Sequence, residues 1–183
     1  MESINVKELM VPLSEYVRVD VDDTLSDCFR AMERDREEKG KGLHAHRDAL
    51  VFSKNGEFMG KVTMKDVFLA LEPTYKRILG LKKGESSLSS DYVAKLFREY
   101  DLWTEPLKDL CNNASGMKVG EIMHNCEKDE FLDEGDNLGK ALHKFVMGVH
   151  QPLIVTREGR VVGVLRLGDV FEQIRQLTMA CKA

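Results

Sequence analysis

The chain lacks several features that would assign it to a special class of protein. No run of apolar residues approaches the roughly 18 that a membrane-spanning helix needs. The first ten residues, MESINVKELM, carry acidic side chains and no apolar core, so they do not predict a signal peptide. The four cysteines are scattered, which favours isolated thiols in a reducing compartment over disulfides or a zinc site. We therefore expect a cytoplasmic protein with no membrane partner.

The chain also lacks a large excess of charge of one sign and any catalytic signature. The formal net charge is −4, from 27 basic and 31 acidic residues that are interspersed along the chain. Binding to nucleic acid through surface charge usually needs a basic excess, so a nucleic-acid partner is not expected. The sequence has no Gly-x-Ser-x-Gly, no P-loop and no His-Glu-x-x-His. Because no nucleophile, base and orienting group can be assembled, we predict that the protein is not an enzyme.

What the sequence does contain is an internal repeat. Val6–Met10 (VKELM) matches Val119–Met123 (VGEIM) at a shift of 113 residues, and later elements, such as Gly60 and Gly163, match at a shift of 103. The difference falls in the charged stretch at about 34–47, where a polar loop insertion is expected. The two halves are therefore two copies of one design.

Each copy predicts the same order of elements. In the first copy, valines alternate with polar residues at 17–21, which indicates a strand, and Asp22–Thr24 can cap a following helix. Two short strands then flank Asn55-Gly56, a dipeptide that predicts a type I′ hairpin turn, before a second helix from Met64 to Pro73. The second copy predicts a strand near Phe131, a helix at 137–147, a hairpin at Glu158-Gly159 and a helix from about Leu167. Since neither half can bury a sheet alone, we expect an α/β protein in which the copies pack with pseudo-twofold symmetry.

The residues between the copies, 73 to 117, form too long a connection for a plain loop. Ser89 and Ser90 are good helix caps, and apolar residues recur at helical spacing after them, which predicts one or two amphipathic helices. The apolar residues are Val93, Leu96, Phe97, Tyr100, Trp103, Leu107 and Leu110. Their face packs either on the core of the chain or on a second copy, and packing on the core is the favoured interpretation.

These elements, in this order and occurring twice, carry a resemblance to a known family. The matching motifs are V-x-E-(L/I)-M, D-T-L or D-N-L, Gln151–Val155, and a closing G-h-h-T/S-x-x-D motif at Gly60–Asp66 and Gly163–Asp169. Each copy resembles a CBS domain, and the pair resembles a stand-alone, bacterial-type Bateman module. The resemblance implies tandem β-α-β-β-α repeats at 4–73 (with the insertion at about 34–47) and 117–178, and a helical connector at 74–116.

The resemblance also implies a ligand and a set of ligand-binding residues. Members of the family bind AMP, ADP, ATP or S-adenosylmethionine in the cleft between the copies, and the motif aspartate bonds the ribose hydroxyls. By position this gives Asp66 and Asp169, with Thr63 and Arg166 near the phosphate. The residues before the second strand of each copy line the adenine. They are Gly148, Val149 and His150 in one copy and Arg47 and Asp48 in the other, and Val164 belongs to the second motif.

The same motif residues admit a purely local role. Thr63 and Asp66 have the spacing of a capping box, and the residues alone do not separate this role from ligand binding. Arg166 cannot act as an N-cap, so the second copy has a broken box in which Asp169 has no capping partner. Arg166 itself is either a phosphate-binding group or an ordinary solvated side chain. Ala49 replaces the proline usual in the family, so we expect the two sites to differ.

The leading hypothesis is a regulatory module that binds an adenine nucleotide as its ligand, needs no cofactor, and signals to a protein partner by conformational change as a homodimer. The alternative is a ligand-degenerate module for dimerisation or protein interaction, with the connector helices as its contact. A metal site at His44, His46 and Asp48 is discounted, because two histidines in a charged loop lack a distant set of ligands.

Overall fold

A computed structural model describes residues 4–39, 47–80 and 90–180 of the chain. The chain divides into two compact units. Unit 1 combines the residues up to Arg18 with those from Asn125 onward, and unit 2 runs from Val19 to His124. These boundaries cut across the two repeats, because each unit holds the body of one repeat and the opening segment of the other. The opening segments are residues 6–12 and 119–124.

Short strands and helices alternate along the chain. The strands are β1 (Val11–Pro12), β2 (Arg18–Asp20), β3 (Ala49–Phe52), β4 (Phe58–Val62), β5 (Phe131–Asp133), β6 (Leu153–Arg157) and β7 (Arg160–Leu165). The helices are α1 (Leu25–Lys39), α2 (Met64–Leu71), α3 (Thr74–Gly80), α4 (Ser90–Glu99), α5 (Leu107–Ser115), α6 (Val119–Ile122), α7 (Leu138–Val146) and α8 (Leu167–Ala180), with 3₁₀ turns at Val6–Glu8, Leu13–Glu15 and Lys128–Glu130. Within the described ranges, no helix is long and apolar enough to cross a membrane.

Unit 1 is built on a four-stranded sheet in the order β1-β7-β6-β5. β7 is antiparallel to both β1 and β6, and β5 is parallel to β6. Val6, in the opening segment of the first repeat, is fully buried in the same core as α7 and α8. That core consists of Val6, Leu132, Leu138, Ala141, Phe145, Leu153, Val155, Leu165 and Val170. The first repeat therefore supplies part of the core that the second repeat needs.

Unit 2 is built on a three-stranded sheet in the order β2-β3-β4, and the opening segment of the second repeat pairs with it. The amide of Lys61 donates to the carbonyl of His124 at 3.1 Å, and the amide of His124 donates back to the carbonyl of Lys61 at 2.8 Å. Val119 and Ile122 of α6 are buried in this unit. Each unit thus contains the body of one repeat and the opening segment of the other.

Two equivalent glycines make room for these opening segments. A Cβ added at Gly163 would lie 2.6 Å from the carbonyl oxygen of Val11, and a Cβ at Gly60 would overlap the carbonyl oxygen of His124. Both contacts are with backbone, which cannot move aside as a flexible side chain can. Gly60 and Gly163 match in the repeat, so the same close approach occurs once in each unit.

The predicted hairpins are present, but one turn type is wrong. Asn55 does not have positive φ, whereas Gly56 has φ +80° and donates to the carbonyl of Ser53 at 2.8 Å. A type I turn followed by a left-handed glycine fits this pattern, and the register of the two strands shifts between Val51 and Phe52. The type I′ turn occurs instead at Glu158-Gly159, where φ is +50° and +77°. The three-residue loop of the first hairpin removes the need for a positive φ at its asparagine.

The connector forms helices α3, α4 and α5. The last two confirm the predicted amphipathic helices, whereas α3 was not expected because it begins directly after Pro73. Leu102 and Leu110 are buried, but Val93, Phe97 and Leu107 are 50%, 53% and 63% exposed. Packing on the core, the favoured interpretation, is therefore wrong for these three side chains. Of the two predicted capping serines, Ser89 lies outside the described residues.

Candidate ligand-binding site

Thr63 and Asp66 lie at the junction between β4 and α2. Thr63 has extended backbone and precedes the helix, and Asp66 is in its first turn. Oδ2 of Asp66 accepts hydrogen bonds from the amide of Thr63 at 2.8 Å and from its hydroxyl at 2.6 Å. Both residues are buried, with 7% and 5% of their surface exposed. The predicted capping box is therefore present, and it holds a carboxylate at the N-terminus of α2.

The same unit contains a second box of the same kind at the start of α1. Oδ2 of Asp27 accepts from the amide of Thr24 at 3.1 Å and from its hydroxyl at 2.6 Å. These bonds from Thr24 lower the pKa of Asp27. The side chain of Asp27 is 45% exposed, unlike that of Asp66. Capping alone thus produces this geometry at a position with no predicted ligand role, and deep burial distinguishes Asp66.

Arg166 and Asp169 occupy the equivalent positions in unit 1, before and within the first turn of α8. Nε and Nη2 of Arg166 donate to the two carboxylate oxygens of Asp169 at 2.7 and 2.8 Å. Only 16% and 21% of the two side chains are exposed. From the sequence, no capping partner is expected for Asp169, but in the structure the guanidinium of Arg166 pairs with its carboxylate across the first turn of the helix.

Val149 and His150 follow a specific C-terminal turn of α7. Gly148 has φ +78°, its amide donates to the carbonyl of Phe145, and the amide of Val149 donates to the carbonyl of Lys144, both at 3.1 Å. This is a Schellman motif, in which a left-handed glycine ends the helix. Val149 packs against the core of unit 1, and His150 is partly exposed between that turn and β6.

The remaining predicted residues differ widely in accessibility. Val164 is in β7, paired with Val11 and Ile154, and its side chain is fully buried. Any contact that it makes with a ligand would have to come from its backbone. Arg47 is exposed and Asp48 partly exposed, just before β3. The discounted histidines, 44 and 46, lie outside the described residues.

Lys61, close in sequence to Thr63, is a buried lysine that the sequence reasoning missed. It lies two residues before Thr63 in β4, and none of its surface is exposed. Burial of a lysine side chain is rare in folded proteins, because its charge must be compensated inside the protein. The repeat could have revealed it. At the shift of 103 residues, Lys61 corresponds to the apolar Val164, so a lysine stands at a position that is apolar in the other copy. A lysine ammonium is a common ligand of phosphate groups.

Comparison with known proteins finds one family and several solved structures. The profile of the CBS domain family matches residues 6–73 and 119–176. The CBS-pair protein CBSX2 from Arabidopsis thaliana is 17% identical over 97% of this chain and 98% of its own, with a TM-score of 0.61. A structure of CBSX2 in complex with AMP is also 17% identical over 95% of this chain and 98% of its own, with a TM-score of 0.57.

A third similar structure is the CBS domain of a bacterial CNNM/CorC family Mg²⁺ transporter in complex with ATP. It is 18% identical over 93% of this chain and 86% of its own, with a TM-score of 0.56. No curated protein sequence matches the chain. At these identities the structural likenesses establish the fold.

Proposed function

Because the chain belongs to the CBS domain family, we propose that it is a regulatory module that binds an adenosine-containing ligand and catalyses no reaction. The predicted mixed α/β fold with two CBS repeats is confirmed. AMP is bound by one protein of this fold and ATP by another, which supports an adenine nucleotide as the ligand here. We expect AMP, ADP, ATP or S-adenosylmethionine to bind with micromolar affinity as a regulatory ligand.

The observation that carries this proposal is the buried carboxylate of Asp66 at the N-terminus of α2. The first turn of a helix presents backbone N–H groups and the positive end of the helix dipole, which attract phosphate. A carboxylate beside it can accept hydrogen bonds from two ribose hydroxyls. Lys61 is buried in the adjoining strand, two residues before Thr63. The N-terminus of α2 and the carboxylate of Asp66 can thus bind the phosphate and the ribose of one nucleotide.

The equivalent position in unit 1 has different chemistry. There Arg166 replaces the hydroxyl of Thr63 and already pairs with Asp169. A phosphate would compete with Asp169 for the guanidinium, so binding there would require the ion pair to rearrange. We therefore propose that the two motifs bind nucleotide with unequal affinity, and that the motif with Asp66 is the tighter one.

The first experiment is a melting-temperature screen of the full chain with the four ligands, using GMP and adenosine for comparison. A ligand at about 100 times its dissociation constant adds about 2.7 kcal/mol of stability. For a chain of this length, that raises the Tm by about 5–10 °C. An unchanged Tm with all four ligands would contradict the proposal.

Asp66→Ala, with Asp27→Ala as its matched control, then locates the site. Each change removes the same pair of capping contacts to a threonine, so each should lower stability by about 0.5–2 kcal/mol. Asp66→Ala should also weaken nucleotide binding about ten- to a hundredfold, through the loss of ribose hydrogen bonds. Asp27→Ala should bind as wild type in calorimetric titration. Equal affinity in both variants would show that Asp66 serves only as a cap.

A second candidate function, dimerisation, is favoured by two exposed apolar faces. On α2, Met64 and Phe68 are 53% and 57% exposed, and their repeat equivalents on α8, Leu167 and Phe171, are 42% and 65% exposed. Side chains four residues apart lie on one side of a helix, so each helix presents a continuous apolar strip. We propose a homodimer in which these strips are covered. Light scattering should give twice the monomer mass, and Phe171→Glu should reduce it to the monomer mass.

If no nucleotide binds and the dimer persists, the alternative function, a module for dimerisation or protein interaction, replaces nucleotide binding. A regulated protein partner and a cytoplasmic location stay predictions from the sequence.

A further inference from the structure

Unit 2 contains a cavity of about 430 Å³ that the proposed nucleotide site does not use. Its wall comes from the end of α2, the turn at Glu72–Thr74, the loop at Tyr100–Glu105 and α5. Most of this wall belongs to the connector, where the family profile has no match between residues 73 and 119. The cavity therefore lies mostly outside the two matched CBS regions. We call it the connector pocket.

The size and the lining of the connector pocket suit a small organic molecule. Ligand sites commonly have volumes from about 300 to 1,000 Å³, far more than a single metal ion occupies. About half of the described lining is apolar, and Leu110 and Ala114 of α5 are themselves buried. A hydrocarbon segment of a ligand could therefore bury apolar surface against these residues.

The polar part of the lining carries charge of one sign. Glu72, Asp101 and Glu105 contribute three carboxylates, and none of the described residues that line the pocket is basic. Burial raises the pKa of Glu72, but the hydrogen bonds from Thr74 and from the Trp103 amide together outweigh it, so the pKa lies below its ordinary value. Glu72 is therefore ionised at neutral pH, and the pocket favours a cationic occupant.

The loop on one side of the pocket is held in place by specific contacts. The amide of Trp103 donates to Glu72 at 3.1 Å, and its indole N–H donates to the hydroxyl of Tyr75 at 3.1 Å. Asp101 and Trp103 have φ of +45° and +61°, a conformation that side chains rarely adopt without support. Leu102 between them is buried. These contacts form the pocket wall before any ligand arrives, which lowers the entropic cost of binding.

An aromatic ring in the same wall already contacts a cation. The guanidinium of Arg77 lies over the ring of Tyr100, 5.3 Å from its centroid. Tyr100 lines the connector pocket, whereas Arg77 does not. One face of the Tyr100 ring thus makes a cation–π contact within the chain itself.

We propose that the connector pocket binds a small organic cation, an ammonium or guanidinium compound with an apolar chain. Its charged end meets Asp101, Glu105 and Glu72, and its hydrocarbon part packs on the residues of α5. The pocket is a second ligand site, separate in its residues from Thr63 and Asp66.

Trp103 is the only tryptophan of the chain, so its fluorescence reports directly on this loop. The full chain is titrated with spermidine and with agmatine, and NaCl of equal ionic strength serves as the control. We expect a saturable fluorescence change with at least one of the two amines, and heat of binding at the same concentrations in calorimetry. NaCl should give no saturable change.

Two variants test the assignment of the carboxylates. Glu105→Gln and Asp101→Asn each remove one charge, and asparagine tolerates the positive φ of position 101. Each should raise the dissociation constant about two- to fivefold, since ion pairs of exposed carboxylates contribute little, and the double variant about tenfold. Glu99→Gln, a change of an exposed acid on α4 outside the pocket, is the matched control and should bind as wild type.

Three results would overturn the proposal. The first is the absence of fluorescence change and of heat with both amines. The second is equal loss of affinity in Glu99→Gln and in the pocket variants, which would indicate nonspecific attraction to an acidic chain. The third is saturation by Mg²⁺ or Ca²⁺ alone with no response to either amine, which would make the pocket a metal site. Nucleotide binding should be unaffected by the pocket variants. Failure of the pocket proposal would therefore be distinguishable from failure of the proposed nucleotide site.

Discussion

Arg166 and Asp169 form a two-bond ion pair across the first turn of α8, at the positions where the first repeat has Thr63 and Asp66. One repeat therefore satisfies its aspartate with a neutral hydroxyl and the other with a guanidinium. This difference makes the two motifs separable by mutation.

Asp169→Ala should lower the free energy of unfolding by about 0.5–1.5 kcal/mol, because it leaves a largely buried guanidinium without its carboxylate. Urea denaturation measures the loss. Glu172→Ala is the control, since it removes an exposed partner of Arg175 in the same helix, and it should change stability less. Equal losses in the two variants would mean that the burial of the Arg166–Asp169 pair does not add to the free energy of unfolding.

Arg166→Ala should weaken the binding of phosphorylated ligands at unit 1 more than the binding of adenosine. The reason is that the guanidinium interacts with phosphate charge, which adenosine lacks. The difference between AMP and adenosine should shrink as the salt concentration rises, because dissolved ions screen the attraction between the guanidinium and the phosphate. Calorimetry at low and high salt measures it. A salt-independent loss would assign Arg166 a structural role.

Gly60→Ala and Gly163→Ala should each destabilise the protein by about 1–3 kcal/mol, because the added methyl group meets the backbone of an opening segment. Gly168→Ala, at a helical position with no atom within 4 Å of the added Cβ, is the matched control. It should leave stability unchanged or raise it by up to about 1 kcal/mol. Thermal or urea melts of the three variants decide whether the opening segments approach the sheets this closely.

Cys28 should make stability fall at alkaline pH. Burial, assisted by the charge of Asp23, raises the pKa of Cys28 from 9.0 to about 12. Between these two values the folded chain keeps a proton that the unfolded chain loses, so stability is full below pH 9 and falls by up to about 1.4 kcal/mol per unit above it. Comparing urea denaturation at pH 8 and pH 10 for wild type and Cys28→Ala isolates this contribution. A parallel decline in both proteins would refute it.

Glu158→Asn should raise the free energy of unfolding by about 0.5–1 kcal/mol. Position 158 has φ +50° in a type I′ turn, a conformation that asparagine adopts more readily than glutamate. Lys54→Asn, in the turn of the other hairpin, has no positive φ to relieve and should leave stability nearly unchanged. Chemical denaturation of the two variants compares them directly, and an equal gain at both positions would point to a cause other than turn geometry.

The order of elements was predictable from the sequence because its signals are local and occur twice. Alternating valines, the caps before α1 and α7 and the glycines of the two hairpins each act over a few residues. The repeat then doubled the weight of every such signal. The predicted type I′ turn at Asn55-Gly56 was wrong, because the turn type depends on the length of the loop as well as on the statistical preference of the Asn-Gly dipeptide.

The capping box of Thr63 and Asp66 was readable for the same reason, since its partners are three residues apart. The sequence by itself thus determined the repeat, its secondary structure and the CBS family. The burial of Lys61 and the assembly of the connector pocket were decided only by the tertiary structure. So was the pairing of each opening segment with the sheet of the other repeat, as between Val11 and Val164. These features depend on contacts between residues far apart in the chain, and neither helical nor strand periodicity carries information about which distant segment will fill a given space.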